Sequence, residues 1–402
     1  MDYYTKYDIK IPIATMSSCC ANYQNCATWR ARGYEAYGFG SWEDAITRLR
    51  ILRARKALRD TKVLLATRGD STHSLTVTEG FLCMEEVTRR LGTRFRYINV
   101  HELLDQTQRI PCDQNHTLPG KRMHNINSKD DTEINDVTDG LIGDALECTM
   151  SRDMVKRSVD AWYTVQKLLE ANQCNAFTMP CADVCATRRY NEEKFTMCLT
   201  HSLNNERGIC SACEYDVPGL LSMVMLSALS DTAPYLGNTA FATPIEDGSE
   251  LNALFDKDLV MSIKDEIDKG NVFYTFHSVP NRKLHGFDSK KSSYGIRPFA
   301  AVQRFGTTIR YDFNQDKGQV ITMCRIDPTC TKLTVARGTI VGGVGYESEN
   351  CSEGVFFSLK NPKAFLEGCY WTGIHVPLVY GDCYDELIEL GKLLGFEVFA
   401  AE

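Results

Sequence analysis

Strands alternate with helices through the first part of this 402-residue chain, and from Asp288 onward strands crowd together with only short turns between them. Lys10 to Thr15, Lys62 to Thr67 and Phe95 to Val100 read as buried strands. Helices are expected after Ser41, where Ser41-Trp42-Glu43-Asp44 makes a capping-box-like start, and over Thr76 to Leu91. That alternation predicts a parallel sheet with crossover helices. The polar stretch from Ile110 to Thr132 reads as a loop. Two helical stretches follow as far as Ala171, broken near Ser151, and then a short strand over Asn175 to Met179. In the last part, Pro298 to Gln303, Thr307 to Asp312, Gln319 to Arg325, Lys332 to Val341, Val355 to Leu359 and His375 to Tyr380 read as strands. The expected fold class is α/β: two Rossmann-like parallel-sheet domains, 1–150 and 151–286, followed by a mostly antiparallel β domain, 287–402. Glu214 and Asn238 fall in the second domain and His375 in the third.

Charge and apolar content narrow the function classes. A formal charge of −7 argues against bulk nucleic-acid binding, which needs a basic surface. No apolar run reaches the roughly 18 residues of a membrane span, and no basic region followed by an apolar run opens the chain, so a cytoplasmic protein with no membrane partner is expected. Seventeen cysteines, an odd number in a long chain, do not make a disulfide scaffold. Cys181 with Cys185, or Cys210 with Cys213, has the spacing of a metal clip. Without a second pair at zinc-ribbon distance, buried reduced thiols are the expectation.

The chemistry concentrates between His201 and Phe241. Cys213-Glu214-Tyr215-Asp216-Val217-Pro218-Gly219 precedes an apolar helix, with Pro218 suited to its first turn and Asp216 to its cap. Glu214 then stands in a loop at the carboxyl end of a strand, where α/β sheets build their sites. By residue chemistry alone Asp216 is a cap and Glu214 a loop carboxylate. His277 follows the β-rich run Val272 to Phe276, at a strand end, as either a packed histidine or a substrate contact. Arg188, with Arg189, Tyr190 and Lys194, suits an anionic substituent or a solvated basic patch. Trp371 flanks the His375 loop as a pocket wall or a packed aromatic.

Four windows together resemble the L-fucose/L-arabinose isomerase family. They are Asn204-Asn205-Glu206-Arg207-Gly208-Ile209 ahead of Cys213-Glu214-Tyr215-Asp216; Ala233-Pro234-Tyr235-Leu236-Gly237-Asn238; Asn271-Val272-Phe273-Tyr274-Thr275-Phe276-His277; and Gly373-Ile374-His375-Val376 leading to Tyr380-Gly381-Asp382. They cover roughly the C-terminal half. The resemblance implies an aldose–ketose isomerase acting on an open-chain sugar through a cis-enediol. It implies a divalent metal, Mn²⁺ or another cation such as Mg²⁺ or Co²⁺, held by a glutamate, an aspartate and a histidine. It also implies a homo-oligomer, a trimer or hexamer with sites at subunit junctions. Glu214 and His375 match the glutamate and the histidine; the aspartate's position is Asn238. Asn offers a carbonyl oxygen to a metal but cannot accept a proton as a base. Either Glu214 alone is the base, or Asp216 or Asp231 substitutes, or the reaction is a related epimerisation or lyase cleavage. A non-catalytic sugar-binding protein is the alternative from another class.

Overall fold

The computed structural model describes residues 11–16, 20–67, 80–107, 128–242, 261 and 263–402. The expected loop at 110–132 and the start of the expected helix at Thr76 fall mostly outside them. By backbone contacts the chain forms two units, 1–53 and 54–402. In the first, β1 (Ile13–Met16) pairs in parallel with β2 (Ala36–Phe39), and the intervening helix Cys20–Ala31 closes a small core of Ile13, Cys26 and Ala36.

The second unit holds the candidate site residues. Along it run β3 (Lys62–Thr67), β4 (Arg94–Asn99), the two-residue β5 (Glu147–Cys148), β6 (Ala176–Thr178) and β7 (Cys210–Ala212). Four of these make a parallel sheet in the order β4-β3-β6-β7. The interior of β3 reads Val63-Leu64-Leu65-Ala66, an unbroken apolar run with no exposed atoms, as a parallel strand covered on both faces requires. The helix Arg152–Ala171 buries Val165, Leu168 and Leu169 against this sheet's core, and Ser151 caps it by accepting the Met154 N–H at 3.4 Å. The break expected near Ser151 is therefore a helix start.

The remaining strands are β8 (Tyr235–Phe241), β9 (Val272–Phe276), β10 (Gly295–Ala300), β11 (Phe305–Arg310), β12 (Val320–Ile326), β13 (Lys332–Val344), β14 (Gly354–Ser358), β15 (His375–Tyr380) and β16 (Glu397–Ala401). β10 pairs antiparallel with β11 and, over two residues, parallel with β5. The other seven form a sheet ordered β12-β15-β8-β9-β14-β13-β16, and an extra β12–β13 pairing closes six of them into a barrel-like ring. Tyr235, Phe273, Met323, Val355, Phe357, Val376 and Leu378 alternate onto one face and pack into a single core. Burying each such aromatic or aliphatic side chain contributes about 1.5–3 kcal/mol.

The architecture is thus mixed α/β, with parallel sheets and an antiparallel barrel-like sheet. Both expected boundaries fall inside hydrogen-bonded sheets. β3 and β6 pair across residue 150, and β8 and β9 pair with strands beyond residue 286. β8 has weak strand propensity at Gly237 and Asn238; partners on both sides hold it extended.

Candidate functional site

The carboxyl edge of the parallel sheet meets one end of the barrel-like sheet at Glu214. The chain leaves β7 at Ala212 and turns through Glu214 and Tyr215, both left-handed at φ 62°, before Asp216 begins the next helix. Two consecutive non-glycine residues in that region are strained, and such strain persists only where neighbours over-determine it. Here the Tyr215 N–H donates to the Met179 carbonyl at 2.9 Å and the Glu214 N–H to Cys181 Sγ at 3.1 Å, both at the end of β6. The outcome is a glutamate side chain about one-fifth exposed, directed into a cavity of about 270 Å³.

Asp216 caps the helix Val217–Ser230, its Oδ1 accepting the Gly219 N–H at 2.7 Å. It does more than cap. Fully buried, it receives Arg325 from β12 through two bonds, Nη1 to Oδ2 at 2.6 Å and Nη2 to Oδ1 at 3.1 Å, and faces His375 Nδ1 at 2.7 Å. Burial would raise its pKa, but Arg325 and His375 outweigh that and hold it below the usual carboxylate value. Arg325 also donates to the Thr372 carbonyl at 2.6 Å and to the His375 carbonyl, which fixes the backbone where β15 begins. An anionic Asp216 beside Nδ1 places the His375 proton there and leaves Nε2 as a lone-pair donor. That carboxylate–histidine pairing is how proteins orient metal-ligating imidazoles.

Glu214, His277 and His375 each offer one ligand atom within 4.8 Å of the others, and they are the metal-capable trio among the described residues. Nε2 of both histidines is buried without a hydrogen-bond partner. Buried polar atoms are rarely left so, and a bound cation or substrate would supply the partners. The two rings lie 5.5 Å apart but are not equivalent. His277 Nδ1 accepts the Ser278 backbone N–H at 3.0 Å, so its proton sits on Nε2, 3.5 Å from Glu214 Oε1. Burial opposes a second proton on this ring, but Cys351 and Glu214 beside it outweigh burial and hold its pKa well above the usual imidazole value. The donor set that fits a cation is therefore Glu214 and His375, with His277 presenting an N–H to the same space.

Asn238 is the register partner of His375 across β8 and β15, and of Phe276 on its other side. Directly opposed residues project from the same face of a sheet, so the half-buried Asn238 stands beside His375. Glu214 and His375 thus come together although far apart in sequence, and Asn238 is the strand neighbour of His375. Asp216 lies behind His375, buried and paired, and does not line the cavity, which corrects its expected catalytic placement. Asp231 does not substitute for it. It is exposed at the opposite end of the helix Val217–Ser230, about 21 Å of helix from the Glu214 end.

Arg188 and Trp371 were expected at the substrate and line no part of the cavity. Arg188 is exposed on a left-handed turn before the short helix Arg189–Glu193. Trp371 stacks on Phe399 of β16, with Lys332 over its ring at 4.8 Å. The lining is instead Cys181, Ala182, Cys185, Tyr190, Thr196, Met197, Cys198, Cys213, Phe299 and Cys351 around Glu214 and His277. Arg325 was missed altogether; the available signal was a lone charge in the apolar run Met323-Cys324-Arg325-Ile326.

Fold and site together define a class: an α/β chain with a carboxylate–imidazole centre that could hold a metal ion where a parallel sheet meets a barrel-like one. Compared with known proteins, the chain matches no family model and no curated sequence. No helix among the described residues is long and apolar enough to cross a membrane.

Proposed function

We propose that the chain is a metal-dependent enzyme that moves a proton between adjacent carbons of a small hydroxy-carbonyl compound, a ketol isomerase acting on a short open-chain sugar. The observation that carries this reading is the convergence of Glu214, His277 and His375, with Asp216 and Arg325 setting the His375 tautomer. Glu214 and His375 would hold the cation, with the Asn238 carbonyl oxygen within reach of the same face. When bound, a divalent cation supplies polarisation of the carbonyl and hydroxyl oxygens. A nitrogen ligand suits Mn²⁺, Fe²⁺, Co²⁺ or Zn²⁺ better than Mg²⁺, which prefers oxygen.

The protein groups divide the remaining work. Glu214 is the single carboxylate among the described lining residues. It suits an exchange in which one base takes a proton from one carbon and returns it, on the same face, to the next. His277 Nε2–H donates to the substrate oxygen on which negative charge develops. The low-polarity walls exclude water and strengthen both interactions. A cavity of about 270 Å³ is below the usual size for drug-like ligands, which favours a substrate of few carbons.

Asn238 favours a second reading, an epimerase or lyase that shares enolate chemistry, because it removes the second carboxylate of a two-carboxylate shuttle. Incubation of the protein and Mn²⁺ with short aldoses and ketoses in D₂O separates them. Deuterium incorporation with an aldose–ketose change is the expected result. Inversion without carbonyl migration, or shorter fragments, supports the second reading, and no exchange in any sugar removes both.

A further inference from the structure

We propose that Cys181 and Cys213 are a redox-responsive pair that closes to a reversible disulfide on the cavity wall beside Glu214. Their Sγ atoms lie 2.8 Å apart, both residues are free thiols, and both line the cavity. The sheet sets this approach. Cys181 follows β6 and Cys213 follows β7, and these strands are hydrogen-bonded neighbours with Thr178 beside Ala212. A disulfide needs an S–S separation of about 2.05 Å, so closure asks for a movement of roughly 0.8 Å. Two further lining thiols, Cys198 and Cys351, are bridged by Ser278 Oγ at 3.2 and 3.5 Å and keep hydrogen-bonded partners.

The oxidant is a low-molecular-weight disulfide small enough for the cavity. Cys181 is half-buried and Cys213 fully buried, so the Cys181 thiolate is the one that attacks the reagent first. Its sulfur bonds to one sulfur of the reagent and releases the other half as a thiol. Cys213 then displaces the second half, forming the protein S–S bond. The two protein thiols lose two electrons and two protons, and the reagent leaves as two reduced thiols. Cys181 Sγ also accepts the Glu214 N–H, and Cys213 is joined to Glu214 through the chain, so the new bond ties the strained Glu214 turn to the end of β6.

The test incubates the full chain with oxidised 2-mercaptoethanol, a disulfide small enough for the cavity, caps remaining thiols with iodoacetamide and maps the digest by mass spectrometry. The expected product links the Cys181 and Cys213 peptides, two hydrogens lighter and cleaved by dithiothreitol. It persists in Cys185→Ser and vanishes in Cys181→Ser, and hydrogen exchange at the Glu214 amide slows on oxidation. Separate capping of both residues, or linkage of either to another cysteine, overturns the pairing. Unchanged exchange at Glu214 overturns the restraint.

Discussion

His375 and His277 carry the same ring, and their neighbours assign it opposite roles. Asp216 accepts from the Nδ1–H of one, and the Ser278 N–H keeps a proton off Nδ1 of the other. His277→Phe is therefore expected to leave manganese affinity within about threefold while lowering turnover on the order of 100-fold, since it removes a donor and not a ligand. Equal loss of metal and turnover would make His277 a ligand. Asn238→Asp adds a negative charge beside His375 and is expected to tighten Mn²⁺ binding; an unchanged dissociation constant would remove Asn238 from the ligand set. His201 belongs to the scaffold. It is buried, bonded through Nδ1 to Ser211 Oγ at 2.8 Å and stacked on Phe177, and burial pushes its pKa down to about 3. A depressed folded-state pKa gives stability that is present above the unfolded value of about 6.5 and is lost as pH falls toward 3. Urea unfolding from pH 7 to 4 should show this slope, and it should flatten in His201→Gln.

At the scale of elements, the helix Val217–Ser230 and strands β12 and β15 meet through one carboxylate. Asp216 can serve as cap and as partner of His375 only because Gly219 leaves room: a Cβ there would come within 2.7 Å of the Asp216 Cγ and 3.0 Å of the Arg325 Nη1. Gly219→Ala is expected to weaken manganese binding at least tenfold while the far-ultraviolet spectrum stays native; undiminished affinity would show that Asp216 does not set the imidazole. Part of this was legible in the sequence. Asp-Val-Pro-Gly ahead of an apolar run announces a capped helix start, and Glu214 then falls at a strand end by counting. The closing of Asp216 on Arg325, 109 residues away, was not legible, because strand pairing depends on partners that local propensity does not name. The same holds for β8, which is not among the expected strands and whose Gly237 and Asn238 are held extended by β9 and β15. The role of Trp371 stayed open between pocket wall and packed aromatic because an aromatic beside a ligand loop looks alike in sequence whether it faces inward or packs outward on Phe399.

The whole molecule places its candidate chemistry at a seam. The parallel sheet supplies Glu214 from the end of β7, and the barrel-like sheet supplies His277, His375 and Asn238 from β9, β15 and β8. A cation held across that seam binds the folded chain and not the unfolded one, so saturating Mn²⁺ should raise the melting temperature in proportion to RT ln(1 + [L]/Kd), and a chelator should reverse the rise. The most direct check is a manganese titration followed by electron paramagnetic resonance, on the native chain and on Glu214→Gln and His375→Gln. One saturable ion per chain is expected in the native protein, with affinity reduced at least 100-fold in each variant and their folds retained. Saturable binding that survives both substitutions, or none in the native chain, would contradict the convergence of these residues on a single ion.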